Sequence, residues 1–168
     1  MIKIGAIAAL ICSSPLALAG GEFTYDQEVN CLAKNIYHEA RGQGYNGKKA
    51  VADVTINRVI SSRFPNTVCG VVRQGHMKPS WKTGKPTPIK NKCQFSWYCD
   101  GKDDTMKNVA AWKDSLNVAH RAYFYRIEAN VDDDTVDGAM WYHATRVTPY
   151  WASSMNKVTQ IRKHIFYK

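Results

Sequence analysis

Past its first twenty residues, this 168-residue sequence has no apolar stretch long enough to cross a membrane. It has no C-x-x-C and no H-x-x-x-H pair, so neither common zinc-ligand spacing is present. His38-Glu39 opens like a zinc-peptidase helix, but H-E-x-x-H needs a second histidine where Gly42 stands. The remaining histidines, His76, His120, His143 and His164, are scattered. Ser96 and Ser115 have no G-x-S-x-G elbow around them, which argues against a serine nucleophile of that kind. The acidic run Asp132, Asp133, Asp134 and Asp137 lacks the alternation and terminal glutamate of a calcium loop, and is expected to be a solvated turn. Internal repeats and linkers are missing too, so one domain is expected.

What is present fits a packed, exported chain. The sequence is 45% hydrophobic and 11% aromatic, enough for one core. Residues 1–19 carry Lys3, an apolar run from Ile4 to Cys12, and Ala17-Leu18-Ala19 before Gly20. That order is a charged region, an apolar region and a small-residue cleavage site, so a signal peptide is expected, with the functional domain at 20–168. Retention of the same segment as a weak, releasable membrane anchor is the alternative. Export favours disulfides, and Cys31, Cys69, Cys93 and Cys99 remain after the leader. Four cysteines allow three pairings. Cys93 and Cys99 flank QFSWY and can close a small loop, which would leave Cys31 to Cys69; spacing does not decide it. The formal charge of +9 draws the chain toward polyanions, and for an exported protein the cell envelope is a better candidate than nucleic acid, although solubility alone accounts for such a charge equally well.

Residues 26–40 place Val29, Leu32, Ala33, Ile36, Tyr37 and Ala40 at helical spacing, with Thr24 or Asp26 as N-cap and Gly42 as the stop. A second helix is expected from about Lys48 to Ser62, apolar nearly all round and therefore buried. The stretch 64–106, with Pro65, Pro79, Pro86 and Pro88, reads as loops and short turns. Val109, Trp112, Leu116, Ala119 and Tyr123 mark a third helix. GAMWYHA and KVTQIRKHIFYK are strand candidates. The expected class is α+β, mainly helical, with a cross-linked loop region.

Glu39 is the residue whose position raises a chemical question. It lies in the last turn of an apolar helix, beside Ile36, Tyr37 and Ala40, where the chain breaks at Arg41-Gly42-Gln43-Gly44. A glycosidic bond is cleaved when a carboxylic acid protonates the leaving oxygen, and apolar surroundings keep such an acid protonated near neutral pH. The plainer reading is a solvated helix end in which Glu39 pairs with Arg41. A sugar cleft also needs flat aromatic faces with polar edges. QFSWY at 94–98, MWYHA at 140–144 and Trp151 supply them, although each alone suits a core equally well. Trp97 is the best single candidate, its loop lying between two cysteines.

Taken in order, IYHEARGQG, GKKAVADVTINRV, FPNTVCGVV, CQFSWYCDG, GAMWYHA and IRKHIFYK resemble the SleB/CwlJ-like cell wall hydrolases, the family of spore cortex-lytic enzymes. The similarity runs over nearly all of the chain after the leader. It implies a lysozyme-like fold related to lytic transglycosylases, acting on peptidoglycan glycan strands without a cofactor or metal. Glu39 matches the glutamate regarded as the catalytic acid. Gln43 departs from the pattern, because members often carry a second acid at that position. Phe95, Ser96, Trp97, Asp100, Tyr142 and His143 are the expected substrate-binding residues, with Asp100 the candidate to position water if the bond is hydrolysed. A monomer in the periplasm, cell wall or extracellular space is expected, with no nucleic-acid partner and no stable membrane span. The competing readings are an N-acetylmuramoyl-L-alanine amidase, which normally uses zinc, and a non-catalytic peptidoglycan-binding module.

Overall fold

Helix α1, Tyr25–Ala40, starts on a reciprocal cap. Thr24 Oγ1 accepts from Gln27 N–H at 3.3 Å, and Gln27 Oε1 accepts from Thr24 N–H at 2.9 Å. The computed structural model describes residues 23–168, so the leader reading for 1–19 lies outside the described residues. The apolar stripe Val29, Leu32, Ala33 and Ile36 packs against Ala52 and Ile56 of α2 (Gly44–Ile60), Val68, Val71 and Val72 of α3 (Val68–Val72), and Val118, Ala119 and Ala122 of α4 (Val109–Tyr123). Each large aliphatic withdrawn from water there contributes about 1.5–3 kcal/mol. Of the stripe expected on α4, Val109 alone faces outward, 62% exposed.

Only Arg41, Gly42 and Gln43 separate α1 from α2. Gly44 takes φ +66°, open to glycine at little cost, and turns the chain straight into α2. The second helix therefore begins four residues before the expected Lys48. Its all-round apolar character has a specific cause. One face joins the α1 core, while Ala50 and Val54 belong to a second core with Val136, Ala139 and Phe166.

The proline-rich stretch is more ordered than loops and turns. It holds α3, then an antiparallel hairpin of β1 (Gly75–Pro79) and β2 (Pro86–Cys93), then a 3-10 turn at Ser96–Cys99. Prolines are tolerated because this is a two-stranded ribbon with free edges. The C-terminal segment is also two strands rather than one. β4 (Lys157–Ile161) and β5 (His164–Tyr167) turn at Arg162, φ +53°, and form with β3 (Trp141–Ala144) a sheet of order β3-β5-β4. The disulfides are Cys31–Cys69 and Cys93–Cys99. The first ties α3 to α1, where Glu28 also accepts from the Val68 and Cys69 amides.

The acidic run is not merely a solvated turn. Asp53 on α2, fully buried, accepts from Lys49 Nζ (2.7 Å), Arg126 Nη1 (3.4 Å), Thr135 N (3.0 Å) and Thr135 Oγ1 (2.6 Å). Asp133 pairs with Lys49 at 3.1 Å, and Asp134 lies 3.6 Å from Arg126 and accepts from Asn57 Nδ2 at 3.0 Å. This network fastens the turn onto α2. Removing one partner of such a group strands the other charges out of water. Asp53→Ala is expected to cost about 3–5 kcal/mol in urea-unfolding experiments, whereas Asp132→Ala, on the exposed part of the turn, should change stability little.

Candidate active site

The corner between α1 and α2 opens into a cleft of about 890 Å³. Glu39, at the end of α1, lines one side, and Tyr142 and His143 of β3 line another. The 3-10 turn brings Ser96, Trp97 and Asp100 to the same space. Six of the seven residues expected at the site are thus gathered from three segments far apart in sequence.

Glu39 is half-buried, and the Tyr142 hydroxyl donates to its Oε2 at 3.1 Å. The pairing with Arg41 does not form, because the Arg41 guanidinium lies over the Tyr37 ring at 5.2 Å. Burial raises the Glu39 carboxyl above the ordinary carboxylate value, and the Tyr142 hydrogen bond and the Arg58 charge oppose that rise without cancelling it. Tyr142 itself is pushed well above the usual phenol value by burial and by Glu39, so it remains a donor. A carboxyl whose protonated form is favoured by burial beside an open cleft can act as a general acid.

Arg58 was not legible as a site residue. It sits in the last turn of α2 beside apolar residues, yet its charge bears on both Glu39 and Tyr142. Its Nε–H donates to Met140 O at 2.8 Å, and its guanidinium lies 5.4 Å from the Phe64 ring and 5.0 Å from the Phe95 ring. Phe95 is consequently no sugar platform. It is 3% exposed, part of the core, and forms the apolar bed under Arg58. An isolated arginine in a helical pattern carries no signal of this role.

Trp97 lines the cleft as expected, in an orientation set from behind. His38 stacks on it with ring centroids 4.4 Å apart and planes at 16°. The indole N–H donates to Asn35 Oδ1 (3.0 Å), Asn35 Nδ2 to Thr55 Oγ1 (3.0 Å), and Thr55 Oγ1–H to Val51 O (2.9 Å). Both His143 nitrogens already have partners, Nδ1 at Ala144 O and Nε2 at the Tyr167 hydroxyl, each at 2.9 Å. His143 is therefore a fixed wall of the cleft rather than a free donor. Trp151 packs edge-on against His143 and Tyr167, outside the cleft lining. His38 Nε2 and His164 Nδ1 are buried without a protein partner, and both rings line the cleft. Burial holds both below the ordinary imidazole value, so they are neutral at pH 7.

Asp100 lies on the rim, accepting from Lys102 N–H at 2.8 Å and paired with Lys102 Nζ at 3.3 Å. The first of these holds its carboxyl below the usual range, so it is ionised. Glu39 and Asp100, two of the four carboxyl groups lining the cleft, are thus driven in opposite directions. Gln43 is elsewhere: it stands at the N-cap position of α2 without a side-chain cap bond, and its Oε1 accepts from Lys163 N–H at 3.2 Å. Its lack of charge removes nothing from the cleft lining.

Residues 42–167 match the family described as Cell Wall Hydrolase. The chain is a member of that family. Similar proteins include the spore cortex-lytic enzymes of Bacillus cereus, 28% identical over 141 residues, and of Bacillus subtilis strain 168, 26% identical over 141 residues. Each alignment takes in 84% of this chain but only 44% and 37% of those enzymes, so the chain spans about two-fifths of their length. Among solved structures, the catalytic domain of the Bacillus cereus SleB protein is similar at 28% identity and TM-score 0.57, covering 88% of this chain and 94% of that one. The catalytic domain of the germination-specific lytic transglycosylase SleB from Bacillus anthracis matches at 27% identity and TM-score 0.58, covering 89% and 99%. The cell wall hydrolase match begins three residues beyond Glu39, so the reading of Glu39 rests on its geometry.

The raised Glu39 carboxyl has a measurable consequence for folding. An acid whose folded pKa lies above its unfolded one binds more protons when folded, so its contribution to stability declines as pH rises through that interval. Glu39→Gln removes this decline. Thermal unfolding should show the variant gaining on the parent chain between pH 4 and pH 8; a constant difference would mean that Glu39 ionises normally.

Proposed function

We propose that this cell wall hydrolase cleaves the MurNAc–GlcNAc bond of peptidoglycan, with Glu39 as general acid and then general base. The observation that carries the reading is the Glu39–Tyr142 pair, a carboxyl raised by burial and hydrogen-bonded at 3.1 Å at the wall of an open cleft. Family membership and the likeness to SleB catalytic domains support the substrate class.

The protonated Glu39 gives its proton to O4, the oxygen joining MurNAc C1 to GlcNAc C4, and the C1–O4 bond breaks as an oxocarbenium-like centre develops. The carboxylate that results is stabilised by the Tyr142 hydroxyl and the Arg58 charge. It then accepts the proton of the muramyl 6-hydroxyl as that oxygen bonds to C1. The product carries a 1,6-anhydro ring, no water is consumed, and Glu39 ends protonated. One residue serves both steps, and Asp100, ionised and already bonded to Lys102, is not required by either. Trp97 provides the aromatic face for a pyranose ring.

Mass spectrometry of fragments released from purified peptidoglycan tests this. Anhydro-muropeptides are expected from the parent chain, with release slowed at least about a hundredfold by Glu39→Gln. Reducing ends would instead mean hydrolysis, with Asp100 the residue to replace next. Free stem peptides would mean an amidase and would overturn the assignment.

Tyr142→Phe removes a hydrogen bond that lowers the Glu39 pKa. Glu39 should then stay protonated to higher pH, and the alkaline limb of the pH–rate profile should move upward while the maximal rate falls. A profile that falls in height without moving would separate Tyr142 from the acid.

A further inference from the structure

The β1–β2 hairpin takes no part in the cleft, and its composition differs from the rest of the chain. No aspartate or glutamate occurs between Asp53 and Asp100, while the same interval holds Arg58, Arg63, Arg73 and five lysines. Those lysines, Lys78, Lys82, Lys85, Lys90 and Lys92, all lie on the hairpin and are exposed. None is in an ion pair among the described residues. The turn Ser80–Lys85 closes with Ser80 N–H to Lys85 O and Gly84 N–H to Ser80 O, each 2.8 Å. At its crest Trp81 is 89% exposed, with Lys82 Nζ 5.0 Å from the ring centroid, and Met77 is 47% exposed just below. Five residues of strand carry this crest roughly 16 Å from the base. The base is fixed, because Cys93–Cys99 ties it to the 3-10 turn that bears Trp97.

A large indole in water at the end of a convex, uniformly cationic arm fits a particular kind of partner. A glycan strand is gripped by several aromatic faces along a groove, and Trp81 is the only Phe, Trp or Tyr between residues 75 and 93. A bilayer surface asks for the opposite arrangement: one amphipathic ring at headgroup depth, with ammonium groups around it facing lipid phosphates. We propose that the hairpin is a docking arm that seats Trp81 in the headgroup layer of an anionic phospholipid surface, with Lys78, Lys82 and Lys85 against the phosphates. The arm shares its disulfide with the cleft wall, so docking holds the cleft at a set distance from the bilayer. This inference does not depend on the reaction carried out in the cleft.

Vesicle co-sedimentation of the full chain tests it, using phosphatidylcholine alone and equimolar phosphatidylcholine with phosphatidylglycerol. Lys78→Gln/Lys82→Gln/Lys85→Gln and Trp81→Ala are run beside the parent chain. Any contribution of the first 22 residues is common to all three and cancels in the comparison. The parent should prefer the anionic vesicles, and the triple variant should bind them roughly a hundredfold more weakly, about fivefold per lysine. Trp81→Ala should weaken binding while leaving the ultraviolet circular dichroism melt unchanged, since the residue is exposed. Equal partitioning of all three chains would overturn the proposal. So would lysine- and Trp81-dependent retention on purified peptidoglycan sacculi without retention on vesicles, which would make the hairpin a wall-binding arm.

Discussion

The carboxyl of Glu39 has to be withdrawn from water and still reach the cleft, and the helical part of the molecule alone does not accomplish both. The corner at Arg41-Gly42-Gln43 ends α1 one residue past Glu39 and sends the chain into α2. That leaves the carboxyl at a helix end, where water would normally solvate it. Tyr142, carried in by the three-stranded sheet, closes over it. Tyr142 also packs against both hydrophobic cores. The ionisation of one side chain is thus bound to the docking of the two halves of the fold.

This dependence explains why α2 is buried on nearly every side. It carries Ile56 for one core, Val54 for the other, Asp53 for the network that anchors the acidic turn, and Arg58 for the charge beneath Glu39. Lys49 and Arg126 both pair with the buried Asp53, and the acidic turn fastened there leads into β3. A helix with so many obligations has no solvent face on which to show amphipathic periodicity.

Much of the fold could be read from the sequence because its signals are local. The 3.6-residue stripe of α1, its cap at Thr24, one of two residues expected there, and the Trp112–Tyr123 face of α4 depend on near neighbours, and those elements lie where expected. The oddity of Glu39, a carboxylate ending an apolar stripe, was visible too, but its burial against Tyr142 was not. Other features depend on residues brought together by folding. Phe95 and Trp97 are two positions apart in one aromatic run, yet one lies under Arg58 in the core and the other lines the cleft. Only the direction of a 3-10 turn separates them. Arg58, His164 and the partners of Asp53 are in the same class, because the elements opposite them give them their meaning. The β1–β2 ribbon was hidden for a different reason: its prolines and lysines are poor strand formers, and pairing at a free edge overrides that preference.

The relay from Val51 O through Thr55 and Asn35 to the Trp97 indole places part of the cleft's specification far from the cleft. The hydroxyl at position 55 is wholly interior and meets no ligand, yet it sets which way the Asn35 amide faces and so where the indole is tethered. Exchange of that hydroxyl for a methyl of similar size would leave every cleft-lining residue in place and loosen the tilt of the ring they surround. Among descendants of such a chain, ligand preference can therefore drift while the lining itself stays unchanged. Comparing only the residues that face the cavity would miss the position where that history is recorded.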